Sequence, residues 1–445
     1  MTIQAAGITA EYNPFHNGHL WQLRELRRRL GDVPVIVCMS GWFVQRGEAA
    51  LADPLIRAEM AIRNGADLVF LLPSWYSLHS ADYFAGGSVR LLAATGLVHT
   101  LVCGVEHTAA ASAPDQETQP LPPSVKEQGH TSGPPSTDPG LSLAEISLRD
   151  TAAWSLEKNT EQQVRDLLKQ GLSYGAAWET AAADNGKDAG WFAGANNILA
   201  LAYQKTIFQN RFPMTLLPLP RKGSSHNETQ LDSRFASASA IRKALRSDTP
   251  LSSLSGVMPK PAIDLLKKEK TAENFPLHAA LQEKLLSSLL SYYLIHNSSR
   301  DIREHSSASP DLCDRFFNTR QALQYGYASF CLQAANKRDS LPAVRRLSLQ
   351  LLLQKPRSFW TEPPEPSYLR VLAFNDRGRF LLKEMKHTAS LPVITKMGNE
   401  GLYAGTDLYP LLQLDAEAAD LFCQLQGNAG TYGTGFTASP VYVEG

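Results

Sequence analysis

The feature that most constrains this chain is a short apolar run that stops at a turn and is followed at once by an amphipathic helical pattern. Residues 4–10 are small and apolar, which is typical of a buried first strand. Asn13-Pro14 then signals a turn. Leucines recur at helical spacing over residues 19–30, Gly31-Asp32 ends that pattern, and residues 33–39 form a second apolar run. The order strand, loop, helix, strand predicts the beginning of a nucleotide-binding α/β domain.

The turn carries two histidines in the pattern His16-Asn17-Gly18-His19. It lies at the expected start of a helix, where backbone N–H groups and a partial positive charge attract anions. A reaction at a nucleotide's α-phosphate needs such donors, because negative charge develops there as pyrophosphate leaves. We therefore predict a phosphate-handling site at this turn. Four residues alone are also compatible with two surface histidines near a turn.

Composition sets wider bounds. A chain of 445 residues is expected to hold two or more domains. Its five cysteines have no metal-ligand spacing, which fits a reducing compartment and argues against a structural zinc site. The formal net charge of +0 neither favours nor excludes a nucleic-acid partner. Because we find no signal-like start and no run long enough to cross a bilayer, we expect a cytoplasmic protein without membrane contact.

The surroundings of the turn resemble one family closely. Residues 11–19 read EYNPFHNGH, and further blocks follow in order at residues 39–48, 57–61, 65–69, 71–73, 80–85, 103–106, 194–199 and 236–242. These blocks are similar to those of the tRNA(Met) cytidine acetate ligases, which belong to the HIGH-type nucleotidyltransferase superfamily. The resemblance is strong over residues 5–107 and 190–246 and thinner beyond them.

The resemblance implies an α/β fold, with a Rossmann-like HIGH-superfamily nucleotide-binding domain followed by a mainly helical C-terminal domain and a small mixed tail. We expect the catalytic domain over residues 1–250, a helical RNA-binding domain over 251–366 and a C-terminal subdomain over 367–445. Residues 108–139 are poor in apolar side chains, which predicts a disordered or loosely ordered insertion in the catalytic domain.

The activity that the resemblance implies is an ATP-dependent ligation. The enzyme would convert acetate and ATP to acetyl-adenylate and pyrophosphate, and then acetylate N4 of the wobble cytidine of elongator tRNA(Met). ATP, acetate and tRNA(Met) are the expected substrates. Mg²⁺ is expected from general triphosphate chemistry, although no ligand set is evident. No stable protein partner is expected.

The resemblance also implies site residues. His16, His19 and Glu11 are the expected catalytic residues. The residues expected to contact ATP are Gly7, Ile8, Thr9, Ala10, Glu11, Tyr12, Asn13, Pro14, Phe15, His16, Asn17, Gly18, His19, Leu20, Gly104, Asn196, Asn197, Arg221, Ser237, Ser239 and Arg242.

Several of these assignments leave alternatives open. One of Asn196 and Asn197 is expected to cap a helix and the other to contact ATP, and the sequence does not choose between them. Arg221 competes with its neighbour Lys222 for a phosphate contact. The Ser237–Arg242 block resembles the second signature of the superfamily, in which hydroxyl and N–H groups at a helix start bind anions.

Polar residues also follow the second strand. Gln45, Arg46 and Glu48 could orient acetate or the target base, and an interdomain salt bridge is an equal alternative for Arg46. Where relatives commonly have a lysine after the aspartate, this chain has Asp53-Pro54. Arg57 could supply the missing charge.

RNA contact rests on a basic block in the C-terminal half, where we expect Lys337, Arg338, Arg345 and Arg346 to bind phosphates. A second basic stripe runs along the first helix, at Arg24, Arg27, Arg28 and Arg29. A solvated helix face explains the C-terminal basic block almost as well. Two other functions therefore stay open: a nucleotidyltransferase acting on a small molecule, and a tRNA-binding protein that has lost catalysis, as the Asp53-Pro54 departure suggests.

Overall fold

The computed structural model describes residues 3–106, 141–221, 234–246, 250–271, 279–398, 400–428 and 430–444. The predicted insertion at 108–139 and the competing Lys222 lie outside these residues.

Among the described residues, strands and helices alternate up to residue 105, and helices predominate from residue 143 to the last strands. The strands are β1 (Ala5–Ala10), β2 (Val35–Ser40), β3 (Phe43–Val44), β4 (Glu48–Ala49), β5 (Leu68–Leu72), β6 (Val98–Val105), β7 (Thr215–Pro220), β8 (Leu369–Phe374), β9 (Val393–Ile394) and β10 (Val441–Tyr442).

The described residues form nineteen α-helices. They are α1 (Asn17–Leu30), α2 (Pro54–Arg63), α3 (Ser74–Ser77), α4 (Ala81–Ala94), α5 (Leu143–Ser155), α6 (Lys158–Lys169), α7 (Tyr174–Asp184), α8 (Ala195–Asn210), α9 (Ala238–Arg246), α10 (Lys260–Thr271), α11 (Ala279–His296), α12 (Ser299–Glu304), α13 (Pro310–Asn318), α14 (Tyr327–Ala334), α15 (Leu341–Leu352), α16 (Arg357–Thr361), α17 (Asp376–Thr388), α18 (Tyr409–Leu425) and α19 (Thr434–Thr437). Short 3-10 helices cover Ala189–Phe192, Leu251–Gly256, Arg320–Tyr325 and Glu400–Leu402.

The central sheet has the strand order β10-β8-β5-β2-β1-β6-β7, with β9 beside β8. The strands from β5 to β7 are parallel to one another, whereas β8 runs antiparallel to β5. Strands β2 and β5 are buried along their whole length, as a parallel sheet covered on both faces requires. The chain leaves β1 toward β2 on one side and later adds β6 on the other, so the order of the strands reverses at β1. Ligands of open α/β sheets bind at such a point, outside the carboxyl ends of the strands.

The C-terminal tail extends this sheet. Strand β8 pairs with β5, and β10 pairs with β8. The apolar side chains of the tail, with those of α10, lie in the same core as the nucleotide-binding domain. The residues assigned above to a separate C-terminal subdomain (367–445) therefore share the sheet and core of the first domain, because β8 supplies the edge partner of β5. A second core, formed by helices over residues 290–351, belongs to the helical region alone.

None of the helices in the described ranges is long and apolar enough to cross a membrane.

Candidate active site

A cavity of about 220 Å³ lies at the carboxyl ends of β1, β6 and β7. Helices α1, α8 and α9 and the turn between β3 and β4 complete its walls. Its lining residues are Thr9, Ala10, Glu11, Tyr12, Asn13, His16, Gly18, His19, Trp21, Gln22, Gln45, Arg46, Phe84, Cys103, Gly104, Ala195, Asn196, Leu199, Tyr203, Arg221, Phe235, Ala238, Ser239 and Arg242. The cavity therefore gathers residues from the first turn, from the end of β6 and from the second signature, which are far apart in the sequence.

The two histidines cap the start of α1 reciprocally. His16 is the N-cap residue, and its Nδ1 accepts a hydrogen bond from the backbone N–H of Gly18 at 3.0 Å. In return, the backbone N–H of His16 donates to Nδ1 of His19 at 3.2 Å. The two rings stack, with 3.8 Å between their centroids. Two N–H groups that a helix start leaves without partners are thus satisfied by imidazole nitrogens.

This geometry fixes the protonation pattern of both rings. A ring nitrogen that accepts an N–H carries no proton, so in each neutral imidazole the proton lies on Nε2. Burial first, and then the neighbouring His16 and Arg221, lower the pKa of His19 well below its ordinary value. His19 is therefore a neutral hydrogen-bond donor at pH 7. Such a donor at a helix start complements a phosphate oxygen without needing to be ionised.

Gly18 also makes room for the ring that caps α1. A Cβ at this position would lie 2.8 Å from Cε1 and 3.0 Å from Nδ1 of His16. These separations are shorter than van der Waals contact, so any side chain would displace the capping ring. The glycine makes room for the imidazole of His16 in addition to lining the cavity.

The turn that carries the histidines is held from several sides. The side-chain oxygen of Asn13 accepts a hydrogen bond from the N–H of Leu51 at 2.7 Å. The side-chain amide of Asn17 donates to the carbonyl oxygens of Arg234 at 3.1 Å and of Gly256 at 2.9 Å. Asn17 therefore joins the first turn to the segments that precede and follow α9, and it does not line the cavity.

Arg57 occupies the interior behind the turn. Its guanidinium is fully buried and donates to the carbonyl oxygens of Ala52 and Ser40, each at 3.0 Å, and to those of Glu11 and Gly41. It therefore ties strand ends together and is absent from the cavity wall. The idea that Arg57 replaces the missing lysine in the cavity does not fit this placement. Asp53 is the N-cap of α2, and its carboxylate accepts the N–H of Leu55 at 2.8 Å.

Glu11 is the carboxylate of the cavity wall. Its Oε1 accepts a hydrogen bond from the N–H of Gln45 at 2.9 Å. Burial raises the pKa of Glu11 above its ordinary value, although that N–H and the positive charges of Arg46 and Arg242 act in the opposite direction. A carboxylate held by one N–H and less acidic than usual is suited to receive a proton.

The second signature forms another helix start at the cavity. The hydroxyl of Ser237 accepts the N–H of Ala240 at 3.1 Å, just before α9. Arg242 donates to the carbonyl oxygen of Asn13 at 2.8 Å and to the hydroxyl of Ser239 at 3.3 Å. Ser239 and Arg242 line the cavity, whereas Ser237 supports it from behind. The signature thus reaches back to the histidine turn through Arg242.

The strand ends on the other side contribute Gly104 and Arg221. A Cβ on Gly104 would meet Cγ of Arg221 at 3.2 Å, so the small residue leaves space for the arginine stem. With Arg46 and Arg242, Arg221 gives the cavity three guanidinium groups in its lining. A lining that contains three cations, two histidine donors and one carboxylate favours a polyanionic ligand.

The structure distinguishes the two asparagines at the start of α8. Asn197 is buried, its side-chain oxygen accepts the N–H of Glu106 at 2.9 Å, and its amide donates to Gly190 and Ala193. Asn196 lines the cavity and contacts the Glu106 carboxylate. The N-cap position itself belongs to Gly194, at φ +85°. Asn196 is therefore the asparagine placed to meet a ligand.

The remaining predicted contact residues lie behind the cavity wall. Ile8 and Phe15 are fully buried in the core, and a Cβ on Gly7 would lie 2.7 Å from Val98. These residues, with Pro14 and Leu20, do not line the cavity. Position in the sequence motif alone does not tell residues that line the cavity from residues that pack behind it, because successive side chains of a strand point to opposite faces.

Sequence reasoning missed an apolar part of the wall. Ala195, Leu199 and Tyr203 line the cavity from α8, and Phe84 and Phe235 join them. The first three recur at every fourth position, which places them on one helix face. That stripe is the signal that could have found them. Trp21 and Gln22 of α1 gave no separate signal.

The predicted RNA-contact residues divide into two pairs. Lys337 and Arg338 are exposed in the segment that precedes α15. Arg345 instead forms an ion pair with Glu48, and Arg346 donates to the carbonyl oxygen of Gln45 at 2.8 Å. In the basic stripe of α1, Arg27 binds the carbonyl oxygen of Gly65, while Arg28 and Arg29 pair with Glu25.

Comparisons with known proteins agree with this geometry. A family model described as HIGH Nucleotidyl Transferase matches residues 3–119 and 142–433. Proteins named tRNA(Met) cytidine acetate ligase from Syntrophomonas wolfei and Latilactobacillus sakei are each 30% identical to the chain. They align with 98% and 100% of it, and in each case with 98% of the relative. A relative of the same name from Clostridium novyi is 27% identical over 98% of the chain and 99% of its own length.

Solved structures share the fold. Apo Thermotoga maritima TmcAL superimposes with a TM-score of 0.82 at 24% identity, with both chains covered completely. A second form of that protein, bound with alpha-thio ATP, gives a TM-score of 0.80 at the same identity and coverage.

Proposed function

The chain belongs to the tRNA(Met) cytidine acetate ligase family of HIGH nucleotidyl transferases, and from that premise we propose that it activates acetate with ATP and acetylates tRNA(Met). The proposed product is N4-acetylcytidine at the wobble position of elongator tRNA(Met). The observation that carries the proposal is the reciprocal capping of α1 by His16 and His19 at the cavity wall.

In the first step, an acetate oxygen would attack the α-phosphorus of ATP and pyrophosphate would leave. Negative charge grows on the phosphate oxygens in this step. The Nε2–H groups of the two histidines and the start of α1 would stabilise it, because fixed donors need no reorganisation as the charge forms. Arg221 and Arg242 would hold the leaving pyrophosphate. The apolar stripe of α8 is suited to the nucleoside, and Asn196 would bind at its edge.

In the second step, the cytidine amine would attack the acetyl carbon and AMP would leave. The N4 nitrogen must lose a proton as the amide bond forms. Glu11 is the group suited to accept that proton, because burial raises its pKa and the Gln45 N–H holds one of its oxygens. No covalent bond to the protein is needed, since AMP is already a good leaving group.

Mg²⁺ would supply further charge compensation on the triphosphate. Among the described residues, no group of three or more His, Cys, Asp or Glu side chains is arranged to hold a metal ion. Mg²⁺ is commonly held by substrate phosphates and water with one or two carboxylates. Glu11 is a cavity carboxylate that fits this limited role.

Acetate-dependent exchange of labelled pyrophosphate into ATP tests the first step. We expect exchange in the wild-type protein and its loss in His16→Ala and His19→Ala variants, which should stay folded although each loses a capping hydrogen bond worth about 1 kcal/mol. Absence of exchange in a wild-type protein that binds tRNA would favour the catalytically degenerate alternative. Full activity in both histidine variants would refute the site assignment.

A further inference from the structure

The turn between β3 and β4, residues 45–47, and Glu48 at the start of β4 lie between the cavity and the helical region. Gln45 and Arg46 line the cavity. On its other side, the turn meets α15 so closely that a Cβ on Gly47 would lie 2.6 Å from the backbone nitrogen of Arg346. Gly47 adopts φ +71°, which favours glycine independently of this contact. The turn is therefore shaped to fit against α15.

Charged side chains continue this contact into the site. Arg345 of α15 forms an ion pair with Glu48, and Glu48 lies 3.6 Å from Arg242. Arg242 in turn donates to the carbonyl oxygen of Asn13 in the histidine turn. The side chains of Arg345, Glu48 and Arg242 are only 22%, 20% and 11% exposed. Water screens such charges weakly, so each affects the next.

A second connection runs through the backbone of the turn. Arg346 donates to the carbonyl oxygen of Gln45 at 2.8 Å, and the backbone N–H of Gln45 donates to the carboxylate of Glu11. The guanidinium of Arg346 thus holds the backbone of Gln45 on one side, while the N–H of Gln45 holds the cavity carboxylate on the other. Burial lowers the pKa of Arg346 to about 10, which leaves it charged at pH 7.

We propose that Arg345 and Arg346 of the helical region are positioning residues for acetate activation. This inference rests on the proposed function. Glu48 is one carboxylate shared by two guanidinium groups, and Arg345 offsets part of its charge. Without Arg345, Glu48 neutralises Arg242 more completely and draws it toward the turn, which weakens the positive field that meets the triphosphate.

The assignment gives these arginines a different role from Lys337 and Arg338. The latter pair is exposed and suited to RNA phosphates, whereas Arg345 and Arg346 face the catalytic turn. Because Lys337 and Arg338 directly precede α15, RNA bound there would lie next to the helix that supports the nucleotide site.

The test is acetate-dependent pyrophosphate exchange in the absence of tRNA, with KM for ATP and kcat determined separately. We expect Arg345→Ala to raise KM for ATP about fivefold, the scale at which network mutations act on a coupled site. Arg345→Lys keeps the charge and should recover most of the loss. Arg300→Ala removes an exposed ion pair with Glu304 in the same region and should change neither constant.

The decisive variant is Arg345→Ala combined with Glu48→Gln. If Arg345 acts by offsetting Glu48, removing the Glu48 charge restores KM for ATP toward the wild-type value. If Arg345 merely holds the domains together, the double variant is as impaired as Arg345→Ala or more so, and the inference is overturned. A wild-type KM in Arg345→Ala would also overturn it. Absence of exchange in the wild-type protein would instead overturn the proposed function, and this inference with it.

Discussion

Replacing Gly18 with alanine separates the effect of the His16 ring on stability from its effect on catalysis. An added Cβ would lie 2.8 Å from Cε1 of His16 and 3.0 Å from its Nδ1. The ring must therefore turn away, which breaks its 3.0 Å bond from the Gly18 N–H and its stacking on His19. Losing an N-cap costs about 1 kcal/mol of stability. Alanine in place of glycine in a helix returns about 1 kcal/mol.

The two effects on stability nearly cancel, whereas the effect on catalysis does not. We expect the thermal midpoint of Gly18→Ala to stay near that of the wild type. Loss of one aligned donor to a developing oxyanion lowers kcat by about 100-fold or more. Acetate-dependent pyrophosphate exchange measures this loss directly, and a thermal scan of the same preparation checks the fold.

Gly175 provides a matched control, because it is the second residue of α7 just as Gly18 is the second residue of α1. A Cβ at Gly175 meets no atom within 4 Å. Gly175→Ala should therefore raise the thermal midpoint slightly and leave exchange unchanged. Wild-type exchange in Gly18→Ala would refute the claim that the His16 ring must occupy that position for catalysis.

Three further predictions follow from the described contacts. The pKa of His19 is lower in the folded than in the unfolded protein, so the unfolded chain takes up a proton first as the pH falls below about 6.5, and the folded state loses stability there. His19→Asn should therefore flatten the decline of the thermal midpoint between pH 7 and pH 5. An unchanged slope would contradict a buried neutral ring. Asn196→Ala should raise KM for ATP at wild-type stability. Asn197→Ala should instead lower the free energy of unfolding by about 2 kcal/mol, because it leaves buried backbone groups without partners; the reverse pattern would invalidate the choice between the two. Lys337→Glu should weaken tRNA binding and reduce the slope of the logarithm of the binding constant against the logarithm of salt concentration by about one. Lys169→Glu, on the exposed surface of α6 and distant from Lys337 in the sequence, should change neither quantity. Equal effects of the two substitutions would indicate nonspecific attraction.

The sequence predicts the opening strand, turn and helix well because their signals are local. The run at residues 4–10, the turn at Asn13-Pro14 and the leucine spacing correspond to β1, the histidine turn and α1. The family resemblance that these blocks carry is confirmed by the family model and by relatives that align along nearly the whole chain. Motif and fold agree because a phosphate site at a helix start needs the preceding strand and the following helix in fixed order.

What the sequence could not give depends on contacts between distant segments. The pairing of β8 with β5 places the tail in the first sheet, and no local pattern predicts which strand accepts an edge partner. Likewise, Arg57 and Arg345 look like ordinary basic residues until the fold surrounds one with carbonyl oxygens and places the other beside Glu48. The sequence shows the charge of a basic side chain, whereas the tertiary structure decides which group that side chain binds.

The most direct test of the whole account is the mass of the cytidine nucleosides of tRNA(Met) after incubation with the protein, ATP and isotopically labelled acetate. We predict one labelled acetyl group on cytidine at the wobble position, absent when ATP is omitted and absent with the His16→Ala variant. Unmodified cytidine under conditions in which acetate-dependent exchange proceeds would contradict the ligase assignment and favour activation of a small molecule for another acceptor.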